Sequence, residues 1–387
     1  MKRHAGWIIR TLIAAVGVGY ILYTLDWSDR VWLPPGYVAA EGIAGGEDGR
    51  AYRVLDDSEI EHLLVTEDGS HTAAIAKSEL GTGDDQPQFK PSFITILSRA
   101  DATRLVGGGL LFIPIVSLAA LRWWVLMRAR GIPIGYARVG RLAMAGYFFN
   151  LCMPGTTGGD VMKAYYAAKG TDRRADAVVS IAIDRLCGLV GLVVVVGLIG
   201  LLSLDDPLIR RITIAMWVGL SSLIVGAGLY TSPALRRRLR LGSRLHRLPF
   251  ATTLRNLDAW FTAYRQHLVA LGVAVAIAVV IHLCLAGAMS LAGFALGVDQ
   301  PLAYLLGTIP IVLMLWSLPV SGPLGLGPLD YVAVQLVVGT SDTSDQAALM
   351  MFVAFRLYLV AVGLIGSLAM LGLGRRDNDE PTMQPSD

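Results

Sequence analysis

Six apolar runs set the frame for this chain: Ile8–Leu25, Leu105–Met127, Ala175–Leu204, Ile212–Tyr230, Leu268–Leu296 and Gln346–Leu373. Each is close to or above the roughly 20 residues that an α-helix needs to cross bilayer hydrocarbon. Hydrocarbon offers no partner to a backbone N–H or C=O, so a spanning segment must satisfy its own hydrogen bonds. Composition agrees, with 54% hydrophobic and 16% charged residues and a mean hydropathy of +0.56. A soluble domain carries roughly 25% charged residues. The expected fold class is an all-α polytopic membrane protein, and the composition argues against a water-soluble enzyme.

Charge orders these runs. Residues 26–104 hold 7 basic and 15 acidic residues, a net −8, while the rest of the chain carries +11. The positive-inside rule then puts 26–104 outside the cytoplasmic membrane and the basic loops inside. Lys2, Arg3 and Arg10 flank the first run, and no small-residue cleavage site follows it, so 1–25 reads as a membrane helix with its N-terminus inside. The most basic loop, Arg236–Arg247, is internal, and Thr252–His267 suits an amphipathic helix on the inner surface. The tail from 375 to 387 is polar and reads as disordered and cytoplasmic.

Within 26–104, short alternating stretches (Ala51–Leu55, His62–Thr66, Thr72–Ala76) lie between turn signals. They predict a small β-rich extracytoplasmic insertion; the alternative is a partly ordered loop. Cys152, Cys187 and Cys284 all lie in apolar segments, so no disulfide framework, metal site or cofactor is expected.

Two apolar regions are interrupted. The first contains Asn150, Pro154, Gly155, Thr156, Thr157, Gly158, Gly159, Asp160 and Lys163. Pro removes a backbone donor, and Pro-Gly breaks a helix unless other groups repair it. Basic residues flank this region on both sides (Arg128 to Arg141, then Lys163 to Arg174), which predicts two half-helices that enter from inside and return; the alternative is one kinked crossing. The second break, Leu318–Asp330, contains Pro319, Gly322, Gly325, Gly327 and Asp330, and its flanks are acidic. Each break is followed by an acid and then an Arg, Asp160 and Arg185 being 25 apart and Asp330 and Arg356 being 26 apart. Six crossings plus two oppositely directed re-entrant segments make an inverted repeat, about 105–204 against 268–373, within a transmembrane domain of 105–374. In such folds paired breaks mark a site near the bilayer midplane.

The candidate substrate-binding residues are those of the two breaks together with Asp184, Arg185 and Arg356. Freed N–H groups at a half-helix start hold anions. Thr156 and Thr157 add donors, and glycines admit a ligand close to the backbone. Asp160 alternatively serves as a helix N-cap. Asp184-Arg185 alternatively forms a structural ion pair with Asp160 or Lys163. His282 reads as core or cavity lining.

The stretch Asn150-Leu151-Cys152-Met153-Pro154-Gly155-Thr156-Thr157-Gly158-Gly159-Asp160-Val161, with Lys163 and the later Asp184-Arg185, resembles the flippase-like membrane region of lysylphosphatidylglycerol synthases. The likeness covers about residues 105–373. At the second break, Leu329 stands where the family pattern has Arg, and Asp330 where it has Glu. The resemblance implies a flippase-like lipid transporter without a synthase domain of its own.

These readings converge on a non-enzymatic transporter of a lipid or lipid-linked precursor in the cytoplasmic (inner) membrane, both termini cytoplasmic. Its expected partners are membrane lipids with anionic head groups, and no nucleic acid. The alternative is a non-transporting scaffold for cell-envelope assembly, with an envelope partner at 26–104.

Overall fold

The computed structural model describes residues 26–40, 43–57, 61–65, 72–81, 85–152, 158–169, 171–201, 207–231, 264–316, 328–339 and 343–376. The run of 1–25, the turns of both breaks, the loop Arg236–Arg247, most of Thr252–His267 and the end of the tail lie outside them. The chain divides into two compact units.

The first unit comprises Met1–Gly108, Met289–Leu302 and Gly325–Phe355. Its strands are β1 Arg30–Leu33, β2 Val38–Ala40, β3 Ile43–Ala44, β4 Arg50–Asp57, β5 Glu61–Val65, β6 Thr72–Ala76 and β7 Gln88–Lys90. Five of them form one antiparallel sheet in the order β6-β5-β4-β1-β7, and β2 pairs with β3. Period-2 alternation turns Val31 and Leu33 of β1 inward with Ile43, Tyr52, Ala73 and Ile75. The Tyr52 hydroxyl donates to the Ala44 carbonyl at 2.8 Å, which ties the small hairpin to the sheet. After β7 come two helices, α1 Phe93–Ser98 and α2 Ala102–Leu110. The unit also contains α10 Pro328–Val338, whose last carbonyls at Val337 and Val338 accept from the buried Gln300 amide at 2.9 and 2.7 Å.

The second unit comprises Gly109–Ala288, Ala303–Leu324 and Arg356–Asp387. It is built from α3 Phe112–Ala129, α4 Tyr136–Cys152, α5 Gly158–Lys169, α6 Arg174–Gly200 and α7 Pro207–Thr231. It also holds most of α8 Leu268–Ala295 and α9 Leu302–Trp316, and the later part of α11 Asp345–Arg376. The expected second helix is interrupted by a turn at Leu111. The cause is Pro114, which has no N–H for the Leu110 carbonyl. Small residues bring helices together, as in membrane packing generally. At Gly366 of α11 a Cβ would collide with the Met144 carbonyl of α4. Trp123, Met127, Val139, Leu142, Ala167, Ala177 and Ile181 form the core that α3, α4, α5 and α6 share.

Four stretches among the described residues are long and apolar enough to cross a membrane: Ala102–Ala129, Arg174–Gly200, Leu268–Ala295 and Asp345–Ala369. Thr213–Gly226, Leu302–Trp316 and Leu329–Val338 are shorter apolar helices.

Candidate functional site

The site is built on α4, α5 and α6 of the second unit, with α3 beside them. The last turn of α4 and the first turn of α5 are joined by one hydrogen bond: the Gly159 N–H donates to Asn150 Oδ1 at 2.7 Å. It satisfies one of the donors that a helix start leaves open. Gly159 sits so close to α4 that a Cβ would collide with the Gly146 carbonyl and lie 2.6 Å from Asn150 Oδ1. The sequence suggested that this glycine admits a ligand; in the structure its space is taken by α4. Asp160 is the third residue of α5, inside its first turn. It therefore acts there as a charge at the positive helix end, not as the cap residue considered above.

Five charges gather around this turn. Arg185 Nε donates to Asp160 Oδ2 at 2.6 Å. Lys163 Nζ lies 3.9 Å from Asp160 Oδ1, one turn along the same helix. The Lys163 stem runs over Gly146, where a Cβ would strike its Cε. Its ammonium lies 5.6 Å from the Trp123 ring centroid and 5.9 Å from that of Tyr147, within cation–π range. The Trp123 ring is held in turn by Nε1 donating to Ser180 Oγ at 3.0 Å.

Asp184 and Arg185 are neighbours in sequence and point to different partners, because successive residues on a helix are rotated by about 100°. Asp184 accepts from Arg122 of α3, Nε at 2.7 Å and Nη2 at 3.1 Å. Arg122 is thus the partner of Asp184, in place of the Asp160 or Lys163 expected for the pair; Arg185 does take Asp160. Gly188, one turn beyond Asp184, leaves room for the guanidinium, since a Cβ there would lie 3.1 Å from Arg122 Nη1.

Exposure grades the cluster. The Arg122 and Asp184 side chains are 11% and 12% exposed, and those of Lys163 and Asp160 are 17% and 19%. Arg185 reaches 50%. It shares a helical stripe with the exposed Val178 and Leu189. It stands eleven residues into α6, about 17 Å from its start at 1.5 Å per residue.

Pro154, Gly155, Thr156, Thr157, Pro319, Gly322, Gly325 and Gly327 lie outside the described residues. Gly158 is buried at the start of α5. Asp330 is buried in the first turn of α10, in the first unit. Arg356 is buried in the second unit, its guanidinium 4.7 Å from the Trp316 ring centroid. His282 Nδ1 lies 2.7 Å from the Ala278 carbonyl of its own helix, a structural use.

Arg122, Trp123 and Tyr147 were missed from sequence. Arg122 lies near the inner end of the apolar run Leu105–Met127, between Leu121 and two tryptophans, and sequence alone gives it no partner. Tyr147 precedes Asn150 by three, a same-face spacing that was available.

Apolar helices of crossing length around a largely buried group of charges define a multi-pass membrane protein. The Lysylphosphatidylglycerol synthase TM region family matches residues 91–366, and the chain belongs to that family. The match begins at the residue after β7 ends. No curated protein and no solved structure matches the chain.

Proposed function

We propose that this protein moves a lipid, or a lipid-linked precursor, across the cytoplasmic membrane, holding an anionic head group at the first break. The observation that carries this reading is Arg185: a half-exposed guanidinium deep in an apolar helix, flanked on its own stripe by Val178 and Leu189. A charge at such depth costs about 2.5–3.5 kcal/mol on insertion scales and is by default functional. The ion pairs among the described residues bring together three cations, Arg122, Lys163 and Arg185, and two carboxylates, Asp160 and Asp184. A lipid phosphate would take the place of Asp160 at Arg185, and Asp160 would keep Lys163 as its partner. Backbone donors at the start of α5 would complete the head-group shell.

The acyl chains stay in the bilayer, since withdrawing them costs about 0.8 kcal/mol per CH₂. The sequence contains no G-x-x-x-x-G-K-[ST] phosphate loop. Transport is then passive or coupled to an ion gradient or the membrane potential, which acts on a charged lipid at about 2.3 kcal/mol per charge per 100 mV. Both termini are cytoplasmic in this reading, with six crossings and two re-entrant segments of opposite direction. No chemical conversion and no cofactor belong to it.

The test is reconstitution in vesicles with labelled anionic lipids, following inner-to-outer movement. Loss of movement in Asp160→Asn and Arg185→Ala, with folding retained, supports transport; no movement across a broad lipid panel overturns it. Single-cysteine labelling tests the topology: positions 136–141 and 170–174 are expected on the same side. The folded sheet of the first unit favours a second reading, an envelope scaffold, which predicts partner capture with no lipid movement.

A further inference from the structure

The ends of several apolar segments meet around α1. The Asp26 carbonyl accepts from Phe93 N–H at 2.9 Å, and Asp26 Oδ2 accepts from Gln346 Nε2 at 3.2 Å, next to the start of the span Asp345–Ala369. The Asp101 N–H donates to the carbonyl of Ala295, the last residue of the span Leu268–Ala295. Ala102, the next residue, opens the span Ala102–Ala129. By sequence, the apolar run Ile8–Leu25 ends one residue before Asp26. From Ser98 to the start of that span is four residues, at most about 14 Å of chain. Helix α1 is therefore fixed at the level where three spans and one further apolar run begin or end.

At that level the protein presents an apolar patch. Trp27 is 53% exposed, Ile94 56% and Leu97 50%. The Trp27 and Phe93 rings meet edge to face at 5.7 Å, and Ile94 and Leu97 are one turn apart on α1. The patch is rigidly mounted. Asp29, just before β1, accepts from Ser92 N–H at 2.6 Å and from the Thr95 hydroxyl at 2.8 Å. Ser92 Oγ caps α1 by accepting from Thr95 N–H at 3.3 Å. Lys90 and Arg99, which precede and follow the helix in the chain, are exposed.

We propose that Trp27, Ile94 and Leu97 dip into the phospholipid surface of the leaflet at which these segments end, so that α1 is an interfacial foot carrying the sheet on the membrane. Trp favours the head-group level, and a short apolar helix face buries into the head-group and acyl boundary. The occupant is lipid, because α1 ends four residues before a membrane span opens at Ala102.

The test uses the full chain in nanodiscs of phosphatidylethanolamine and phosphatidylglycerol, with Cys152, Cys187 and Cys284 changed to Ser. Spin labels are placed at Ile94→Cys and Leu97→Cys. Val38→Cys on β2 and Leu198→Cys on α6 serve as references, at 70% and 47% exposure. Labels at 94 and 97 are expected to collide with oxygen more than with a water-soluble nickel chelate, as at 198 and opposite to 38. Collision behaviour like that of 38, or shielding from both reagents, overturns the proposal. A cysteine-free measurement decides the same point. Among the 8 tryptophans, the emission lost in Trp27→Phe is expected to be the part quenched by brominated lipid; an unquenched difference overturns it.

Discussion

The two interrupted regions carry similar acid-then-arginine spacings, 25 residues in the first and 26 in the second. After the first break, Asp160 and Arg185 meet at 2.6 Å, and Lys163 joins them. After the second, Arg356 lies 4.7 Å over the Trp316 ring, and Asp330 is buried in the first turn of another helix. The first region concentrates cations beside a half-exposed arginine; in the second, an aromatic face receives the arginine. The proposed function assigns the head group to the first.

Perturbing each region separately sharpens that contrast. The largest loss of stability is expected from Asp184→Asn, which leaves Arg122 buried without a counter-charge. Breaking a buried pair from one side costs about 3–5 kcal/mol, readable as a fall in unfolding midpoint in detergent; pairing it with Arg122→Met should restore most of the loss. Gly159→Ala comes next, since a new Cβ meets the Gly146 carbonyl and forces α4 and α5 apart, at about 1–3 kcal/mol, checked the same way. In the second region Trp316→Leu removes the cation–π contact of Arg356. It should cost about 2 kcal/mol or less while lipid movement persists; abolished movement with intact folding would erase the contrast. The smallest stability change, about 1 kcal/mol or less, is expected for Arg185→Ala, whose side chain is half exposed. That variant should nevertheless abolish movement of anionic lipid. A stable and fully active Arg185→Ala would shift the head-group site away from the first break.

Much of the fold was legible because lipid allows so few solutions. Apolar length marks helices, and the three short alternating stretches named in 26–104 fall on β4, β5 and β6. The site was legible only in part. Asn150, Asp160, Lys163 and Arg185 stood out as polar groups in apolar surroundings, and they do come together. Arg122, Trp123 and Tyr147 did not stand out, because an arginine near other arginines and an aromatic among apolar residues carry no local signal. Gly159 looked like a place for a ligand, yet the Gly146 carbonyl and Asn150 occupy the space beside it. Composition marks where backbones come close and does not say what fills the gap.

What the sequence determined by itself is the class of molecule, a multi-pass helical membrane protein with a small sheet near its N-terminal end, together with a break at Asn150–Lys163 rich in polar groups. Those features depend on local composition and periodicity, which act at a range of a few residues. Only the tertiary structure decided which charge answers which. Asp184 and Arg185 are adjacent in the chain, yet one is held against Arg122, 62 residues away, and the other against Asp160, 25 away. The physical reason is the rotation of about 100° between successive helical residues, which sends neighbours to different helices. Ion pairs between helices are therefore set by packing. The same packing leaves Arg185 as the member of the cluster that faces outward.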